Sequence, residues 1–116
     1  MTEKRQNTRP YILAKVKIKP KGGSPSVEAV AINLTRKGIG IYIRHKQLLK
    51  EGKKVTLKLT FFDGKGFKTT EDMPGTVRWV LEFGGQCAAG IQFDGPVYKK
   101  DRPALYTCVE YAKKNV

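Results

Sequence analysis

Apolar residues recur at every second position along most of this chain, the period of a strand with one buried face. Ile12, Ala14, Val16 and Ile18 are apolar while Lys15, Lys17 and Lys19 are charged. That predicts a half-buried strand with a lysine-lined outer face. Val27–Ile32 reads as a second strand. Ile39, Ile41 and Ile43 alternate with Gly40, Tyr42 and Arg44 as a third. Val55, Leu57, Leu59 and Phe61 alternate with Thr56, Lys58 and Thr60, the clearest case. Phe67–Asp72 is a weaker strand or an extended loop, separated by Pro74-Gly75 from a strand over Thr76–Phe83 that contains Trp79. Gln86–Phe93 is the last.

The breaks between these runs are turn chemistry. Pro20-Lys21-Gly22-Gly23-Ser24-Pro25-Ser26 is a turn cluster, Asp63-Gly64-Lys65-Gly66 a hairpin signal and Gly84-Gly85 another tight turn. His45–Lys53 suits a short helical turn or loop. Only the C-terminal segment changes period. Leu105, Cys108, Val109 and Ala112 form one apolar stripe at helical spacing, which predicts a helix over 101–114. Asp101 can cap it, Pro103 is tolerated in its first turn, and Lys113 and Lys114 suit its C-terminal end. Short strands joined by Gly-rich turns point to an antiparallel barrel or sandwich, with the helix over an opening or edge. Residues 1–9 are polar without periodicity and read as a flexible arm, leaving 10–116 as a single domain.

Composition adds one strong fact. Lys and Arg number 23 against 10 Asp and Glu, a net charge of +13. So basic a chain favours a phosphate-bearing or polyanionic partner. The start of the chain lacks the apolar run of a signal peptide and no later run is long enough to span a bilayer, so a cytoplasmic protein without membrane insertion is expected. Cys87 and Cys108 have neither metal spacing nor a disulfide framework and lie in apolar patterns, as buried thiols do. His45, the single histidine, has no patterned nucleophile or carboxylate partner. No carboxylate pair and no phosphate-cradling glycine loop is present either, so neither an enzyme nor a cofactor is expected.

Two short stretches carry candidate chemistry. In Arg5-Gln6-Asn7-Thr8-Arg9, two guanidinium groups stand four residues apart, with Lys4 beside them. Guanidinium offers paired planar donors that match a phosphate or the O6/N7 edge of guanine, and its flat face can stack on a base. In Asn33-Leu34-Thr35-Arg36-Lys37-Gly38, short polar side chains stand where one strand ends and the next begins. Asn33 and Thr35 can bond their own turn or a ligand. Gly38 permits a positive φ, or a close approach by a ligand, that a Cβ would forbid. Trp79 is open to two readings, a barrel-wall aromatic or a platform for a base.

Together, in this order and at this separation, the two stretches resemble the bipartite signature of the PilZ domain, RxxxR followed by [D/N]xSxxG. The likeness extends to TVRW at Thr76–Trp79, to Gly90-Ile91-Gln92-Phe93 and to the C-terminal helix. The resemblance implies a six-stranded antiparallel (split) β-barrel with a C-terminal α-helix, and a bacterial receptor for the second messenger cyclic di-GMP that acts on a downstream protein. It implies that Arg5 and Arg9 grip phosphates and guanine, that Asn33 and Thr35 hydrogen-bond a guanine edge, and that Gly38 permits the turn. Lys4 occupies the position linked in the family to one bound ligand or an intercalated pair, and a cation there favours the pair. Thr35 replaces the usual serine, keeping the hydroxyl and adding a methyl. Asn33, without a formal charge, makes a weaker contact to a guanine N–H than Asp.

Two other functions fit the same residues. A small basic barrel can bind RNA or single-stranded DNA through the lysines of Ile12–Lys19, although such surfaces usually interleave aromatics. A ligand-free PilZ-like adaptor is the other, and the intact arginines argue against it.

Overall fold

The computed structural model describes residues 11–22, 25–44 and 49–114, with side chains to Tyr111. Six strands, β1 (Tyr11–Pro20), β2 (Val27–Leu34), β3 (Gly38–Ile43), β4 (Lys54–Asp63), β5 (Lys68–Phe83) and β6 (Gln86–Phe93), precede one helix, α1 (Pro103–Lys114). Adjacent strands are all antiparallel. The order β1-β2-β3-β6-β5-β4 closes on itself, so the barrel has no free sheet edge. The expected six-stranded antiparallel barrel with a C-terminal helix is what the chain forms.

Its interior is the inward half of each alternation. Val55, Leu57, Leu59 and Phe61 of β4 are all buried, with Val16 and Ile18 of β1 and Ile39, Ile41 and Ile43 of β3 against them. Helix α1 covers the barrel with Ala104, Leu105, Cys108 and Val109, and the Cys108 thiol reaches the Tyr11 carbonyl at 3.5 Å. Cys87 and Cys108 are both buried, in line with their apolar surroundings in the sequence.

Three expectations need correction. The helix starts at Pro103, and its cap comes from β5, not from Asp101. The Glu71 carboxylate accepts the Ala104 and Leu105 N–H groups at 2.8 and 2.9 Å. That satisfies first-turn amides left without intrahelical partners and places negative charge at the positive end of the helix dipole.

Phe67–Asp72 and Thr76–Phe83 form one continuous strand. Pro74-Gly75 marks the corner where β5 leaves β4 for β6 and does not break the chain. Proline is tolerated there, and a Cβ on Gly75 would stand 2.7 Å from Ile91 Cγ2.

In β1, alternation does not run unbroken from Ile12. A bulge between Leu13 and Lys15 shifts the phase, so Leu13 packs on the core while Ile12 is 51% exposed. A bulge accepts one extra residue and reverses the facing of the residues beyond it.

The hairpin signals are met at the expected places. Asp63 closes its turn by accepting the Lys65 and Phe67 amides on Oδ1, and Gly66, Gly84 and Gly85 take positive φ.

Candidate functional site

Two further bulges, between Ala31 and Asn33 in β2 and between Val77 and Trp79 in β5, organise the outer surface. Simple alternation would turn Asn33 the way of Ala31 and Trp79 the way of the fully buried Val77. Each bulge inserts one residue, Ile32 or Arg78, and reverses the phase. Asn33 and Trp79 therefore both face outward, with Trp79 46% exposed.

The register then aligns four residues. Asn33 pairs with Gly40, Gly40 with Gly90, and Gly90 with Trp79, one row across β2, β3, β6 and β5. At roughly 4.8 Å per strand the row spans about 14 Å between its outer members. Its two middle positions lack side chains, and the outer two lean over them. The Asn33 Oδ1 accepts the Gly40 N–H at 2.9 Å, and a Cβ on Gly40 would stand 2.6 Å from that oxygen. A Cβ on Gly90 would collide with the Trp79 indole at Nε1. The result is a shallow floor with a fixed amide on one side and an indole on the other. That arrangement suits a flat, polar, aromatic group, which can stack on the ring and hydrogen-bond the amide.

The turn beside the row is built by Thr35. Its hydroxyl oxygen accepts the Lys37 and Gly38 N–H groups at 3.2 and 3.3 Å, and its proton points to the Gly38 carbonyl at 3.4 Å. One donor and two acceptor sites are all a hydroxyl has, so this one is fully engaged in the turn. Gly38 also serves a purpose the sequence does not reveal. Its φ is not positive; a Cβ there would collide with the Ile91 carbonyl of β6. The residue is glycine because two backbones meet closely at the start of β3.

A groove of about 840 Å3 lies next to the row, lined among others by Arg36, Lys37, Arg78, Gln92, Tyr106 and Val109. Lys54 and Asp94 of its wall neutralise each other at 3.4 Å, with Thr76 Oγ1 donating to Asp94 at 2.7 Å. Arg36, Lys37 and Arg78 form no ion pair with another described residue and outnumber Glu110, the other acid of the lining, so the groove carries a net positive charge. On the row's other side, Val30, Tyr42, Ala88 and Leu81 align as an apolar stripe, with Val30 and Leu81 each 59% exposed. The Tyr42 hydroxyl donates to Gln86 Oε1 at 2.6 Å.

Of the residues singled out in the sequence, Asn33, Thr35, Gly38 and Trp79 are brought together. Lys4, Arg5, Arg9 and His45 lie outside the described residues. Tyr11, however, shows where the N-terminal segment joins the barrel. Antiparallel pairing of β1 with β2 puts the start of β1, where Tyr11 pairs with Asp63 of β4, at the same end of the barrel as the Thr35–Gly38 turn. Gly40, Gly90 and Arg78 are not site candidates from the sequence, although Gly90 and Arg78 stand in the stretches GIQF and TVRW that carry the resemblance. The signal was there for the glycines: glycine inside a strand marks a bulge or a close approach.

The PilZ domain family model matches residues 3–109. No curated protein sequence matches the chain. Among solved structures, the chain is similar to the Bacillus subtilis inhibitor of motility, MotI/DgrA, at 12% identity and a TM-score of 0.65. The match covers 90% of this chain and 50% of that one, so the chain spans about half the length of that protein.

Proposed function

The chain belongs to the PilZ domain family, and we propose that it is a bacterial receptor for cyclic di-GMP, a binding module and not an enzyme. The observation that carries this reading is the outward row Asn33–Gly40–Gly90–Trp79, which two bulges create beside an electropositive groove. A guanine seats on the row, against the Trp79 ring and within reach of the Asn33 amide. Arg5 and Arg9 of the N-terminal segment, which joins the barrel at the end where the turn lies, supply guanidinium groups to the phosphates and the guanine edges. Arg36, Lys37 and Arg78 add positive charge for the diester phosphates from the barrel side. Lys4 favours binding of an intercalated ligand pair. Thr35 and Gly38 act by holding the turn.

Binding draws residues 4–10 against the barrel, and the changed surface is what a downstream protein reads in the cytoplasm. The apolar stripe of Val30, Tyr42 and Leu81 runs alongside the ligand, so partner and ligand share a border there. Nucleic acid is the weaker reading. On the lysine face Lys15 and Lys19 pair with Thr60 and Thr56 and Lys17 with Lys58, and Phe62 at its end is the one exposed aromatic of β1 and β4, short of the interleaved aromatics such a surface uses.

The test is titration with cyclic di-GMP, followed by calorimetry and by emission from Trp79, the single tryptophan. Saturable binding with a change in Trp79 emission is expected. Arg9→Ala should weaken binding more than about tenfold, because one charge-assisted contact contributes roughly 1.5–3 kcal/mol, and should leave the melting temperature unchanged. No heat and no emission change in excess messenger would overturn the receptor reading. A steep salt dependence of oligonucleotide binding would put nucleic acid in its place.

A further inference from the structure

We infer that Asn33 reads a hydrogen-bond acceptor on the ligand base, the O6/N7 side of guanine, and leaves the 2-amino group unread. The inference rests on the receptor reading above and specifies the chemistry of that same site. The orientation of the amide is not arbitrary. Its oxygen accepts the Gly40 N–H at 2.9 Å, and a backbone N–H can only face an acceptor. Measured from the Cβ position of Gly40, Oδ1 is nearest at 2.6 Å, Cγ comes next at 3.3 Å and Nδ2 is farthest at 3.8 Å. The half of the amide turned away from the sheet is therefore the NH2 group. It carries two protons to donate and no hydrogen bond to another described residue.

An aspartate with the same grip on Gly40 would turn out a carboxylate oxygen, an acceptor suited to the N1–H and 2-amino donors of guanine. Asparagine reverses the polarity of that outward group while keeping its position. The complementary surface is one made of acceptors. Guanine offers O6 and N7 side by side, whereas adenine sets a donor beside its N7. Selection for guanine thus persists with Asn33, but through the opposite edge.

The discriminating probe is the inosine analogue, cyclic di-IMP, which lacks only the 2-amino group. The readout is the affinity ratio of cyclic di-GMP to cyclic di-IMP in the unaltered protein and in Asn33→Asp. The substitution is isosteric at an exposed position and retains an acceptor for Gly40, and a thermal melt confirms its fold. The ratio should lie near one in the unaltered protein and be at least about tenfold larger in Asn33→Asp, the worth of one charge-assisted hydrogen bond. A smaller rise, or a preference for the 2-amino group already present in the unaltered protein, overturns the inference while leaving the receptor reading standing. Failure of the unaltered protein to bind cyclic di-GMP itself removes the receptor reading instead, and the inference with it.

Discussion

Replacing Gly40 by alanine separates the binding row from the barrel that carries it. The new methyl would stand 2.6 Å from Asn33 Oδ1, so the amide must swing away and release the Gly40 N–H. The backbone itself accepts the change, since Gly40 is not among the positive-φ glycines. Two effects on stability then oppose each other. Losing the hydrogen bond to a partly buried N–H costs about 0.5–1.5 kcal/mol. Replacing a strand glycine by alanine restores roughly 0.5–1 kcal/mol by restricting the unfolded chain. The net change falls within about 1 kcal/mol, a melting shift of no more than about 4–8 °C for a domain of this size.

Binding has no such compensation. The amide that should meet the base is displaced, and a methyl stands on the floor where the base would lie. Together these should weaken cyclic di-GMP binding about tenfold or more, equivalent to roughly 1.4 kcal/mol. A thermal melt by circular dichroism, paired with calorimetric titration, reads both quantities on one sample. Unchanged affinity would refute the row as the ligand seat. A melting temperature lowered by much more than the stated range would refute the local nature of the change.

Two further substitutions test the frame around the row. Gly38→Ala drives a methyl into the Ile91 carbonyl and must part β3 from β6, so urea unfolding should show roughly 1–3 kcal/mol of lost stability; an unchanged midpoint would mean that the two strands separate freely. Glu71→Ala removes the acceptor of two helix amides and should lower stability by about 1.5–3 kcal/mol, with Glu71→Gln intermediate because it keeps one acceptor oxygen; a midpoint equal to that of the unaltered protein would mean that water caps the helix equally well.

The sequence made the barrel legible because most strands keep a strict period of two. Val55 to Phe61 in β4 and Ile39 to Ile43 in β3 face as alternation demands. The turns were legible for the same local reason, glycine at the positions that take positive φ, as at Gly66, Gly84 and Gly85. What escaped depended on partners far away in the chain. The cap on α1 comes from Glu71, more than thirty residues upstream. The Pro74-Gly75 corner reads as a break because nothing local says that a second strand, β6, takes over the pairing. The three bulges left no mark in composition. Their effect is a change of phase, and apolar residues flank each one on both faces, so the alternation reads as unbroken. The candidate site was half legible. Asn33, Thr35 and Gly38 announce themselves as a polar turn, but only the register shows that Asn33 lies in line with Trp79.

The same bulges explain how one small barrel carries two unlike surfaces. Without the β5 bulge, Trp79 would point inward beside Val77, into an interior already filled by Phe61, Met73 and Leu59. Interiors pack to crystal density, so an added indole has no place there. Turning it outward relieves the core and at the same time builds the row. The cost is exposed apolar surface, most of it on one side, with Ile12 and Phe62 the outward apolar pair on β1 and β4. Val30, Ile32, Trp79, Leu81 and Phe83 all lie on the β2, β3, β6 and β5 side, each between 46% and 59% exposed. On the β1 and β4 side the outward positions are mainly lysine and threonine, which hold the chain in water. A contiguous exposed apolar patch on an otherwise strongly charged domain marks a surface meant to be covered. On the receptor reading, part of that cover is a guanine on the row and the rest is the partner that reads it.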